Sequence, residues 1–309
     1  MIMSGNRYLR GASSAVPIVL VTVVFCLVGL GAWMWIDMSR HDIEGKAKAF
    51  AQLKNGGSPV AVETESPART RSPGHGVAVP NTGLPIEAGV VECRRLSAPI
   101  IIDGQPDDAA WRGAQVIDNF SQPWLGANHP AKAKTVARLL WDDEYLYFLA
   151  VMDDGDLYAD IRQHNADLWN NDVFELFFKP VPSWLGYYEF EVNPNNATLD
   201  LFFPSRGSGG LRRWVNKYPF HLDTKVSLRG SSTLNIHTDL DVGWVVEGRI
   251  PWSDFAPTGG KPKVGDEWKF ALCRYDFSVM NEEAEMSTSA PLKTKNFHQY
   301  EDFQVLRFK

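Results

Sequence analysis

Eleven short runs decide what residues 91–309 can become. They cover 91–96, 99–102, 134–141, 145–152, 173–179, 187–193, 198–203, 223–228, 244–250, 267–277 and 303–308, and turn-forming Asp, Asn, Gly, Pro and Ser punctuate them. "YYEFEV" (187–192) and "WVVEGRI" (244–250) alternate with the period of two that sets one face of a strand on a core. "LLWDDEYLYFLAVMDD" (139–154) reads as strand, Asp-Asp turn, strand, which is a β-hairpin. Helical signals are brief, at 107–112 and 252–255. Strands this closely spaced, without the strand–helix–strand rhythm of a parallel sheet, predict an all-β antiparallel sandwich.

Ahead of this region the texture differs. Residues 16–36 read VPIVLVTVVFCLVGLGAWMWI, 21 residues without a charge. As a helix they would span roughly 30 Å, the thickness of a bilayer core. Trp33 and Trp35 close the run where an interfacial aromatic belt belongs. A cleaved signal peptide would carry a shorter apolar stretch ending in small residues. The expected organisation is an N-terminal tail (1–15), a single-pass membrane anchor (16–36), a flexible linker (37–90) and a folded domain (91–309). The linker is rich in Gly, Pro, Ser and Thr and cannot bury enough apolar surface to fold. Positive charge favours the opposite orientation: Arg7 and Arg10 precede the span, and Arg40, Lys46, Lys48 and Lys54 follow it. Function argues for an extracytoplasmic domain, and large domains translocate despite such counts.

Charge and cysteine content narrow the partners. Residues 91–309 hold 23 Lys+Arg against 31 Asp+Glu. So acidic a domain repels phosphate, which argues against nucleic acid. The cysteines are Cys26, Cys93 and Cys273, without the paired spacing of a zinc site. Cys93 and Cys273 read as two buried free thiols, with a disulfide as the alternative.

No catalytic constellation is visible: no nucleophile elbow, phosphate loop or metal-protease helix. Asp142–Asp143 and Asp153–Asp154 lie at turns, where Asp bonds the local backbone; a calcium ligand set is the second reading. Of the 11 Trp, 9 lie beyond residue 100. Most sit in or beside strands as core fillers, Trp111, Trp141, Trp252 and Trp268 among them. Trp169 differs, because Asp167, Asn170 and Asn171 surround it. In the strand that follows, alternation places Val173, Glu175 and Phe177 on one face and Phe174, Leu176 and Phe178 on the other. A ring in a polar turn beside a strand carboxylate suits a sugar, whose C–H face stacks on aromatics and whose hydroxyls need polar partners.

The order of motifs resembles family 9 carbohydrate-binding modules and the wider group of DOMON-type sandwiches. The motifs are "IIIDGQPDDAAW" (100–111), "ARLLWDDEYLYFLAVMDD" (137–154), "LWNNDVFELFF" (168–178), "YYEFEVNPNN" (187–196), "GWVVEGRIPW" (243–252), "GDEWKFALCRYD" (265–276) and "FHQYEDFQVLRF" (297–308). The resemblance implies a β-sandwich that clamps a terminal sugar between two aromatic rings. Trp169 matches the first ring, Phe297 stands in place of a Trp as the second, Glu175 matches a hydroxyl-binding acid, and Asn193 matches a polar contact. Glu191 stands where a sugar-binding member carries Arg, and Arg274 is a candidate to supply a guanidinium instead. Structural calcium is implied without identifiable ligands. The expected activity is non-catalytic binding of mono- or oligosaccharide chain ends. Three alternatives accompany it: a haem-binding electron-transfer domain using residues such as Met152, His164, Met286 or His298, an accessory to polysaccharide breakdown, and a structural surface domain that has lost sugar binding.

Overall fold

The structure, a computed structural model, describes residues 89–309. The anchor expected at 16–36 and nearly all of the linker lie outside the described residues. Among the described residues no helix is long and apolar enough to cross a membrane.

The strands are β1 (Val90–Arg95), β2 (Thr135–Trp141), β3 (Tyr145–Asp153), β4 (Val173–Lys179), β5 (Tyr187–Val192), β6 (Thr198–Phe203), β7 (Asp223–Gly230), β8 (Asp241–Pro251), β9 (Glu267–Asp276), β10 (Glu285–Thr288) and β11 (Gln304–Phe308). One sheet runs β6-β5-β4-β9-β11, and the other runs β2-β3-β8-β7. β1 belongs to both. Val90–Cys93 pair parallel with β11, and then Arg94 and Arg95 pair parallel with β2. β10 extends the first sheet by pairing with the end of β9. All other strand pairs are antiparallel.

Alternation explains how the sheets meet. Phe174, Leu176 and Phe178 of β4, with Tyr188, Phe190 and Val192 of β5, point into the main core. There they join Leu139, Phe148, Ala150, Trp244 and Val246 from the second sheet. The two sheets therefore face each other as a sandwich. Trp141, Trp252 and Trp268 close one end against Phe308, with ring centroids 5.4, 6.1 and 4.9 Å from it.

Local chemistry sets the hairpin. Asp142 accepts the backbone N–H groups of Glu144 and Tyr145 at 2.7 and 2.8 Å and the Tyr147 hydroxyl at 2.8 Å. One carboxylate thus organises the β2–β3 turn. Residues 99–102, expected as a strand, form none. Their region bonds side chains instead of a neighbouring backbone: Ile101 N–H donates to Asp108, and Asp103 and Gly104 N–H donate to Glu247. The Trp111 indole donates to the same carboxylate at 2.8 Å, which latches the opening loop onto β8. β10 escaped the sequence reading, because "EMST" carries no apolar alternation and is a strand only through β9.

Candidate functional site

The outer face of the first sheet carries the site. Most antiparallel sandwiches leave such a face to solvent. Here the turn at 166–172 and the segment at 289–303 cover it, and a second core forms from Leu168, Phe177, Leu199, Leu201, Cys273 and Phe297. A cavity of about 410 Å³ opens between Trp169, Tyr275, His298, Phe203 and the glycine-rich loop at Gly207–Gly210. A recess of about 140 Å³ shares Trp169, Glu189, Tyr275, Asn296 and His298 with it and reaches Glu175 and Glu191 below. Together they make one cleft with aromatic walls and an acidic floor.

Trp169 is half-buried and borders both parts of the cleft. Its position is set from behind. It sits on a single helical turn, Leu168–Asn170. The next residue, Asn171, accepts from Ile161 N–H at 3.0 Å and from the Asn193 amide at 3.1 Å. Asp172 then accepts from the N–H groups of Tyr158 and Phe277, both at 2.6 Å. These buried amides and carboxylate hold the turn, so the indole is presented by a rigid support.

Of the five residues expected at the site, the structure brings three together and places two elsewhere. Trp169, Glu175 and Phe297 all border the recess. Phe297 is only 3% exposed and packs against Tyr275, Trp124 and Phe177 with centroids 5.2, 6.3 and 6.5 Å away. It seals the floor and does not stand open as the second plate of a clamp; Tyr275 and His298 form the open wall. Asn193 is fully buried: its amide donates to Ile161 O and Asn171, and its carbonyl accepts Ala197 N–H. Its amide supports the Trp169 turn and its carbonyl ties the β5–β6 turn, so none of its polar capacity reaches the cleft. Arg274 is buried on the opposite face of β9. It donates to Asp154 at 3.0 Å and to Asp276 at 2.6 Å. Strand alternation is the reason, since Cys273 and Tyr275 face the cleft side and Arg274 must face away.

Residues absent from the sequence-based set complete the cleft. Glu189 and Glu191 share the face of Glu175, and Glu175 lies directly across from Glu191 in the β4–β5 pairing. The Tyr187 hydroxyl is 3.0 Å from His298 Nδ1. Arg206 lines the larger cavity while it forks onto Glu301 at 2.6 and 2.9 Å and covers the Tyr300 ring. The "YYEFEV" alternation already put Glu189 and Glu191 on one face, so that signal existed. Nothing in the sequence could bring His298 or Tyr275 beside them. Trp184 and Trp214 do not line the cleft.

Electrostatics mark the floor. Burial pushes the carboxyls of Glu175, Glu189 and Glu191 above the usual range. Glu189 adds to the rise at Glu175, and Glu175 and Glu189 add to it at Glu191. His298 opposes the rise at Glu189. Burial likewise raises the thiols of Cys93 and Cys273, which are free. Of the residues considered for haem, Met286 and His298 border the recess, Met152 is buried in the main core, and His164 bonds Thr198.

A β-sandwich whose covered sheet face opens into one aromatic-walled, acid-floored cleft has the construction of a small-ligand binding module. The chain belongs to the Carbohydrate family 9 binding domain-like family, whose model matches residues 102–307. Among curated relatives, Endo-1,4-beta-xylanase A of Thermotoga maritima is 29% identical over 180 residues, 57% of this chain. That match spans only 14% of the xylanase. Among solved structures, a candidate carbohydrate-binding protein from Bacteroides uniformis shares the fold at a TM-score of 0.55 and 15% identity, covering 71% of this chain and 99% of that one. A family 9 module from Caldicellulosiruptor kristjanssonii in complex with cellotriose superposes at 0.47 with 19% identity, covering 71% and 93%.

Proposed function

We propose that this chain binds carbohydrate without catalysing its breakdown. The sugar would enter the cleft with its C–H face on Trp169 and its hydroxyls toward Asn296, Glu189 and Arg206. The carrying observation is Trp169: a half-buried indole, locked by a buried amide network, that borders both parts of the cleft and sits in a chain of this family. A half-buried Trp that packs against the second core on one side and borders the cleft on the other, held on so rigid a support, suits a ligand platform. The cleft is large enough for one or two sugar rings, in keeping with a mono- or oligosaccharide chain end. In this reading residues 16–36 anchor the domain in a membrane, and residues 37–90 hold it on the extracytoplasmic side. Single-site affinity is weak and gains from many copies on one surface.

Calorimetric titration of the purified full chain with glucose, cellotriose and xylotriose tests this. At least one sugar should bind, and Trp169→Ala should weaken it tenfold or more while the melting temperature stays within a few degrees. Binding unaffected by Trp169→Ala would place the sugar elsewhere. No binding to a broad glycan panel would leave only a structural domain.

A further inference from the structure

The floor of the cleft is charged in a way that a neutral sugar does not answer. Glu175, Glu189 and Glu191 are 2%, 5% and 0% exposed, and all three line the recess beside Trp169. Among the described residues no Lys or Arg forms an ion pair with any of them. Lys295 borders the recess but pairs with Glu283, and Arg206 lines the larger cavity but pairs with Glu301. Most telling is Glu191. Both of its oxygens are buried, and neither receives a hydrogen bond from any donor, with the Glu189 carboxyl as the one group placed to share a proton with it.

Other buried carboxylates of the domain carry their own compensation. Glu247 accepts the Trp111 indole and two backbone N–H groups. Asp254 accepts the His221 backbone N–H at 2.6 Å. Arg274 bridges Asp154 and Asp276, and Asp172 beside them accepts two backbone N–H groups. Buried carboxylates without such partners are costly to keep ionised. At Glu175, Glu189 and Glu191 either protons hold the group neutral or the compensating charge arrives with whatever enters the cleft.

We propose that the cleft selects an amino sugar, whose free ammonium sits among Glu175, Glu189 and Glu191 while its ring stacks on Trp169. The ring's place rests on the carbohydrate reading above; the charge is the addition. Each carboxylate offers one oxygen, and the three lie within 4.8 Å of one another, so a single ammonium can reach them all. Its three N–H donors match three acceptors. Such charge-assisted bonds are roughly twice as strong as neutral ones. A hydroxyl donates one hydrogen bond and brings no charge, so it leaves the carboxylates uncompensated. Trp169 and Tyr275 border the same recess, and aromatic faces attract a cation placed over them. Glu189 borders both the recess and the larger cavity, so a ring seated in the cavity can carry its amine to the floor. An N-acetylated sugar has lost the charge and gains nothing from the carboxylates.

The test is calorimetric titration of the full chain at pH 7 with glucosamine, N-acetylglucosamine and glucose, and with the glucosamine trimer against cellotriose. The amino sugars should bind about tenfold or more tighter than their neutral counterparts. Glu191→Gln keeps the shape and removes the unpartnered charge. It should erase most of that preference, leave glucose binding little changed, and melt no lower than the wild type. Glu189→Gln should reduce the preference as well, and it reads the same floor should Glu191→Gln fail to fold. Asp276→Asn, beside Arg274, should leave the preference intact. Trp169→Ala should weaken amino and neutral sugars alike. Equal binding of amino and neutral sugars overturns this assignment, leaves the carboxylates neutralised by protons, and lets the carbohydrate reading stand. A preference that survives both glutamine variants also overturns it, because the amine then binds elsewhere. Absence of binding by every sugar, charged or neutral, overturns both readings.

Discussion

Arg274 and Cys273 are neighbours in the chain and belong to different environments. The arginine faces the sandwich interior, where Asp276 accepts from it at 2.6 Å. Burial pushes the Asp276 carboxyl up to about 7, with Arg274 opposing the rise. The folded domain therefore holds a proton that the unfolded chain releases near pH 4. Folding takes up that proton between about pH 4 and pH 7, so this group's contribution to stability falls as pH rises through that window. Each pH unit costs up to ~1.4 kcal/mol there. Asp276→Asn cannot titrate and still accepts from Arg274. Urea unfolding at pH 5 and pH 8 should show the wild type losing stability relative to Asp276→Asn at the higher pH. Equal pH dependence in the two proteins would mean that the carboxyl stays ionised throughout. The same scale explains which site residues a sequence shows. Trp169 and Glu175 are separated by one turn and part of a strand, so their proximity is local. The burial of Phe297 comes from Tyr275, Trp124 and Phe177, which the chain delivers from three other places.

At the scale of elements, alternation carried most of the information. It placed Phe174, Leu176 and Phe178 in the main core, and Val173, Glu175 and Phe177 on the other face, as the structure has them. It could not show that the second face is buried as well, because the covering segments at 166–172 and 289–303 have no period of their own. The β2–β3 hairpin is the element whose geometry is most local. Asp142 ties its turn with three hydrogen bonds. Asp142→Ala should lower the unfolding free energy by ~1–2 kcal/mol in chemical denaturation. Sugar binding should not change, since the turn does not border the cleft. β8 shows a different constraint: at Gly243, φ is +137° and a Cβ would fall 1.9 Å from Met152 O, so only glycine fits beside β3.

For the molecule as a whole, β1 is the strap. It pairs with the last strand at Val90–Cys93 and crosses to the second sheet at Arg94. The two ends of the described domain are thereby joined. Cys93 on this strap and Cys273 on β9 are both fully buried. Neither thiol should react with a thiol reagent under native conditions, so at most Cys26 is modified. In denaturant, both should become reactive together at the rate of global unfolding. Early labelling of Cys93 alone, followed by mass spectrometry, would show instead that the strap detaches first.

The run of short alternating segments was enough to determine an all-β sandwich, its hairpin, its principal tryptophans and the family it resembles, because strand periodicity and turn chemistry are properties of adjacent residues. Membership in the family and the match over residues 102–307 agree with that reading. Tertiary structure alone decided that Arg274 and Asn193 serve the framework, that Phe297 seals a floor, and that three glutamates share one buried recess. Those outcomes depend on which face of each strand is covered and by what, and burial of that kind is set by segments distant in the chain.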